Sequence, residues 1–230
     1  MKRHPILFCS EMVKAIIAGR KTQTRRVIKP QPIVDFDSGY VFYRKHQFDI
    51  HNMPLSEEIL KYCPYGQCGE VLWVRETWGW YGTIISGSYG YCPPEEPRWP
   101  PAVIKGGFRR PIIYKADYPK HRFDPNDSGW KPSIHMPYSA CRIWLDIVDI
   151  RVERLHDIKN EDCIEEGIER TEFGWKNYQK SYPVNEFMGD TGVEELKSYQ
   201  SLWFEINGEE SWYNNPYVWV IEFKVKEILT

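Results

Sequence analysis

The stretch Ala18-Gly19-Arg20-Lys21-Thr22-Gln23-Thr24-Arg25-Arg26 decides how this chain is read. It follows a helical pattern in which Ser10 offers a cap and Met12, Val13, Ile16 and Ile17 recur on one face. Gly19 stands where a helix stop is expected. Beyond it the chain reads as extended from Thr22 to Ile28, closed by Pro30 and Pro32. Arg20, Lys21, Arg25, Arg26 and Lys29 put five cationic side chains within ten residues, with the hydroxyls of Thr22 and Thr24 among them. That mixture suits a phosphate-bearing ligand, and a lysine crowded by arginines gives up its proton more readily. A solvated basic turn is the alternative reading of the same residues.

Working outward, Ile6-Leu7-Phe8 reads as a short strand before the helix. Glu70-Val71-Leu72-Trp73-Val74-Arg75-Glu76 reads as a strand after the turn Tyr65-Gly66-Gln67-Cys68-Gly69. Cys141 to Ile150 is a strong strand, and Asn160 is placed to cap a short helix that stops at Gly167. A second helix is expected from Val193 to Ile206, with Leu196, Tyr199, Leu202, Trp203 and Ile206 inward. Asn214-Asn215-Pro216 turns the chain into a last strand, Tyr217 to Lys224. Three segments lack such order and read as insertions: about 33–62, 77–137 (with a short strand at Ile112-Ile113-Tyr114) and 171–192. The whole, residues 1–230, reads as a single α+β domain in which β-branched strands with few helices curl into a small barrel.

Bulk properties narrow the function classes. A net charge of −2 argues against coating long nucleic acid by overall electrostatics, so any basic site is local. No apolar run approaches the roughly 20 residues that span a bilayer. The Ile6-Leu7-Phe8 run behind the basic Met1-Lys2-Arg3-His4-Pro5 is too short for a signal peptide. A cytoplasmic protein with no membrane partner is expected. The six cysteines are scattered, and the close pair Cys63 and Cys68 has no second pair to complete a zinc site. They read as free thiols, and neither a metal nor a cofactor is expected.

Four separated blocks carry a resemblance. They are the helix with Ala18–Arg26, the strand Gly69–Glu76, the run from Arg142 through Leu155-His156-Asp157-Ile158 to Glu166-Gly167, and Trp219-Val220-Ile221-Glu222-Phe223. Together they are similar to the ASCH domain family, whose fold is a PUA-like barrel. The long insertion, with Tyr114-Lys115-Ala116-Asp117 and Trp130 to Pro137, resembles the larger version carried by bacteriophages and prophages. One branch of that family removes the acetyl group from N4-acetylcytidine, and other members are thought to bind RNA or modified nucleotides. A nuclease activity has been proposed for some. The resemblance assigns the amidohydrolase roles to Lys21, Thr24 and Glu166, with Glu165 as the neighbouring alternative.

Amide hydrolysis asks for a nucleophile, a base and a group that stabilises the oxyanion. Thr24 offers the hydroxyl, which needs a base beside it. Lys21 would be that base if neutral, whereas an ionised Glu166 would hold the ammonium form. In a straight strand residues 21 and 24 face opposite sides, so both share a site only if Lys21 lies in the turn and Thr24 begins the strand. Arg25, Arg26, Arg75, Glu76 and His135 are candidate contacts to a nucleoside or RNA ligand. Arg75 and Glu76 read equally as a structural ion pair, His135 as a loop histidine in a hydrogen bond, and Trp73, Trp78 and Trp80 as packing. Three readings therefore stand: an N4-acylcytidine amidohydrolase, a non-catalytic RNA or nucleobase binder, and a metal-independent ribonuclease using Lys21 and Glu166.

Overall fold

The structure is a computed structural model. It describes residues 1–35, 37–49, 59–80, 84–85, 88–89, 103–105, 108–110, 112–121, 129–172, 174–179 and 194–229. The described residues form a mixed α+β fold, mostly sheet with few helices, and no closed barrel is seen among them. The chain's contacts separate into two compact units. One contains Met1–Ile17, Glu70–Asp146 and Val225–Thr230; the other contains Ala18–Gly69 and Ile147–Lys224.

In chain order the elements begin with β1 (Arg3–Leu7), α1 (Ser10–Ile17), β2 (Gln23–Val27), β3 (Ile33–Asp35), β4 (Tyr40–Tyr43) and β5 (His46–Asp49). Next come β6 (Val71–Arg75), β7 (Trp78–Trp80), β8 (Ile84–Ile85), β9 (Ser88–Tyr89), β10 (Val103–Lys105), β11 (Phe108–Arg110) and β12 (Ile112–Tyr114). Then follow β13 (Ile143–Arg154), α2 (Asn160–Glu165), β14 (Arg170–Thr171), β15 (Gly174–Trp175), α3 (Glu194–Asn207), α4 (Glu209–Tyr213) and β16 (Tyr217–Ile228). The principal sheet runs β1-β6-β13-β16-β2.

In the first unit β1 lies parallel to β6, and the start of β13 pairs antiparallel with β6, Leu145 opposite Leu72. Alternation along β1 buries Ile6, leaves Leu7 41% exposed, and continues to the buried Phe8 just past the strand. Helix α1 buries Met12, Val13, Ala15 and Ile16. Ile17, expected inward, is 41% exposed, because position 15 rather than 17 completes the buried stripe. The expected strand at Ile112–Tyr114 is β12, paired with β7, and its side chains are all buried. Trp78, Ile112, Tyr114, Met136, Ala140 and Cys141 form a core cluster with Trp73, Trp80 and Trp144 against it. Those tryptophans are packing residues.

In the second unit β2 pairs antiparallel with β16, Arg25 opposite Val220 and Arg26 opposite Trp219. Four successive residues of β16, Val218 to Ile221, are buried, so both faces of that strand are covered. The segment 33–62 is more ordered than expected: β3, β4 and β5 form an antiparallel three-stranded sheet over its described part. These strands hold three or four residues each, too short for alternation to stand out. Two further expectations are corrected. Lys159, not Asn160, is the N-cap of α2, and its N–H reaches the Asp162 carboxylate at 3.2 Å. On α3, Ile206 is 48% exposed, while Ser198 and Ser201 are buried instead. The serines turn inward because backbone needs them: Ser198 donates to the Lys176 carbonyl, and Ser201 accepts from Tyr178 N–H. The short β14–β15 pairing, Arg170 opposite Trp175 and Thr171 opposite Gly174, runs into the start of the segment 171–192. Cys92, and the expectations for 51–58, for most of 81–111, and for 180–193, lie outside the described residues.

Candidate functional site

Helix α1 ends at Ile17, and Gly19, at φ +71°, turns the chain out of it. A β-carbon there would cost strain, so glycine is the natural stop. Lys21 then enters extended backbone directly, as an antiparallel bridge to Glu166. Thr22 N–H donates to the Glu165 carbonyl, and Phe223 N–H donates to the Thr22 carbonyl. Lys21 is therefore part of the sheet-like pairing and not of the turn. Period-two alternation sends Lys21, Gln23 and Arg25 to one face, and Thr24 and Arg26 to the other.

The first face meets α2 and β13. Lys21 Nζ donates to Glu166 Oε2 at 2.8 Å, to the Glu166 carbonyl at 2.7 Å and to the Gln23 carbonyl at 2.8 Å. Three acceptors match the three N–H bonds of an ammonium. Arg25 reaches Glu166 Oε1 at 3.4 Å, Glu153 at 3.1 Å and Asp162 at 3.1 Å. Gln23 bridges Asp162 and Arg151 through its two amide atoms, at 3.0 and 2.9 Å. Arg151 also contacts Asp162, Glu153 and Glu222. Lys21, Arg25 and Glu166 are nearly sealed, at 2%, 4% and 4% exposure. Burial opposes the Arg25 charge, but Glu166 and the other facing anionic partners outweigh it and hold the guanidinium above its ordinary value. Burial also pushes the Tyr199 phenol far up, with Glu166 adding to the shift.

Of the residues assigned to hydrolysis, Lys21 and Glu166 are thus in direct contact, and Glu165, which is exposed, is not the partner. Thr24 is buried at 3% and stands opposite Ile221 on β16. No hydrogen bond joins its hydroxyl to Lys21 or Glu166 among the described residues. Gln23, Glu153, Asp162, Arg151 and Glu222 escaped the sequence reading. Two of them were within reach of it: Gln23 shares the alternation of Lys21 and Arg25, and Asp162 precedes Glu166 by one helical turn.

Arg26, facing the other way, lines a cleft of about 300 Å³ with Lys29, Tyr65, Asn207 and Trp219, closed by Val27 and Pro64. Tyr65 is pushed up by burial, while Arg26 nearby works against that shift. Lys29, Tyr65, Asn207 and Trp219 come from four separate stretches, so nothing in their spacing announces the cleft.

Arg75, Glu76 and His135 belong to the other unit. Glu76 is buried and holds Arg142 in a two-pronged contact, at 2.8 and 3.0 Å, which Asp117 extends. The Arg142 guanidinium lies 3.9 Å over the Tyr114 ring. Glu76 is thereby committed within its own unit, and its ionic partner is Arg142, not Arg75. Arg75 donates to the Ile134 carbonyl and lies 5.3 Å over Trp73. His135 is exposed on a short 3-10 turn, Ser133–His135. No group of three or more metal-ligating side chains is assembled among the described residues. No helix among them is long and apolar enough to cross a membrane. Compared with protein-family models, with curated proteins and with solved structures, the chain matches none.

Proposed function

We propose that this is a nucleotide-directed binding protein of the ASCH, PUA-like kind, which holds a nucleotide of RNA in the Arg26–Trp219 cleft. The observation that carries the reading is the cleft's lining. Arg26 and Lys29 supply phosphate-binding charge, Asn207 an amide for a base edge, and half-buried Tyr65 an aromatic wall, with the buried Trp219 beneath as floor. Its volume is at the small end of ligand sites. Lys21 and Glu166 sit behind β2 as its internal brace, since all three ammonium donors of Lys21 are already engaged. The five described cysteines are free thiols, which suits a reducing cytoplasm. Titration with CMP tests the reading: Arg26→Ala combined with Lys29→Ala is expected to weaken binding at least tenfold, as loss of two charge-assisted contacts requires. Equal affinity in wild type and double variant overturns it.

A second reading keeps one specific observation in its favour, the 2.8 Å contact between Lys21 and Glu166. In an amidohydrolase, Lys21 would first pass one ammonium proton to Glu166 and, as a neutral amine brought round to the Thr24 side of β2, would then take the Thr24 proton. The Thr24 oxygen would then attack the acyl carbon, and the C–N bond would break as the N4 nitrogen takes a proton. Water would release acetate from the acyl-threonine. Incubation with N4-acetylcytidine separates the readings by chromatography: cytidine formed by wild type and not by Lys21→Ala supports hydrolysis. No turnover at high wild-type concentration removes it.

A further inference from the structure

The β4–β5 hairpin carries a cluster that neither reading uses. His46, Phe48 and Tyr62 stand within stacking range of one another, with ring centroids 5.0, 6.0 and 6.2 Å apart, and Tyr43 lies 5.8 Å from Tyr62. Two cations flank these rings. Arg44 lies 5.3 Å over Tyr43 and 5.9 Å over Tyr62; Lys61 lies 5.3 Å over Phe48 and 5.6 Å over Tyr62. Arg44, Lys45, His46 and Lys61 are exposed, whereas Phe48 and Tyr62 are half-buried and so held in place. Asp49 is the carboxylate on the same hairpin. Arg44 sits at φ +56°, the first central position of a two-residue loop between paired Tyr43 and His46, where glycine is preferred. An arginine stands there despite the backbone's preference.

Half-buried rings topped by two exposed cations match one occupant: the long cationic side chains turn to phosphates, and the rings they uncover take the bases. A nonpolar peptide would gain nothing from the cations. The turn that supplies Tyr62 also supplies Tyr65 to the cleft, and three residues of chain put their Cα atoms within roughly 11 Å. That turn is held by Tyr62 N–H to Ile59 and Cys63 N–H to Leu60, both at 2.9 Å. We infer that the ligand is a single strand of nucleic acid: one nucleotide occupies the cleft and its neighbours stack on the His46–Phe48–Tyr62 face. The inference rests on the cleft reading and extends it from a nucleotide to a strand.

Fluorescence anisotropy with short labelled single-stranded RNA and DNA, alongside CMP titration, tests both levels. Arg44→Ala/Lys61→Ala and His46→Ala are expected to weaken oligonucleotide binding roughly tenfold while leaving CMP affinity unchanged. The charge variant also flattens the dependence of log affinity on log salt by about 1.4, the share of two phosphate contacts on a single strand. Tyr62→Ala is the ring deletion, read only if circular dichroism matches wild type. Oligonucleotide affinity unchanged in all variants overturns the inference, as does wild-type binding of oligonucleotide no tighter than of CMP. Oligonucleotide binding that depends on Arg44 and Lys61, with CMP bound nowhere, overturns the cleft reading and leaves the face standing. The RNA and DNA arms identify which strand is preferred.

Discussion

A lysine at 2% exposure survives only because every donor has an acceptor, and Glu166 supplies two of the three. Removing the two partners is not symmetric. Glu166→Ala strips a carboxylate from both Lys21 and Arg25 and leaves their charges sealed from water. Lys21→Met keeps the volume and leaves Glu166 to Arg25. Urea unfolding is expected to show a loss of about 3–5 kcal/mol for Glu166→Ala and a clearly smaller one for Lys21→Met. The reverse order would mean that the carboxylate, not the ammonium, is the costly group to bury. At this scale the sequence was informative about faces. Lys21, Gln23 and Arg25 alternate, and Asp162 and Glu166 lie one turn apart, so each set is readable as sharing a side. What faces each set was not readable, because Lys21 and Glu166 are 145 residues apart.

Elements were legible where their periodicity was long and their stops were glycine. The α1–Gly19–β2 passage is the clearest case. A β-carbon built on Gly19 meets no heavy atom within 4 Å, so nothing but the positive φ resists a side chain. Gly19→Ala is expected to cost about 1 kcal/mol in thermal or urea unfolding, and Gly19→Asn less. A cost of several kcal/mol would point to a steric role that the structure does not contain. The β3–β5 sheet was missed because its strands are too brief for a period of two to register. Ile17 and Ile206 are exposed although their spacing fits the inward stripe, because helical spacing marks a stripe but not where its packing partner ends. The buried Ser198 and Ser201 were missed because their burial answers to carbonyl and amide groups on another segment, not to their own hydrophobicity.

For the molecule as a whole, burial governs the thiols. It pushes Cys63 and Cys141 up to about 11 and Cys163 up to about 12, from 9.0 in an exposed thiol. Raised folded values mean that the unfolded chain loses these protons first. Their stabilising effect is complete below pH 9 and is lost as pH rises through 9 toward 12. Unfolding free energy is therefore expected to decline across that window, and a flat profile would contradict it. In the native protein at mildly alkaline pH, Cys9 and Cys68, both exposed, should take up iodoacetamide, while Cys63, Cys141 and Cys163 stay unlabelled by peptide mass mapping. By itself the sequence determined the amphipathic helices, the glycine stop, the apolar last strand and the faces along β2. Those follow from local sterics and from the periods of helix and strand, which neighbours in the chain enforce. Only the tertiary structure decided that Lys21 and Arg25 share Glu166, that Glu76 belongs to Arg142, and that Tyr62 packs with His46 and Phe48 while Tyr65 lines the cleft. Such pairings depend on which distant segments pack together, and no local preference encodes that.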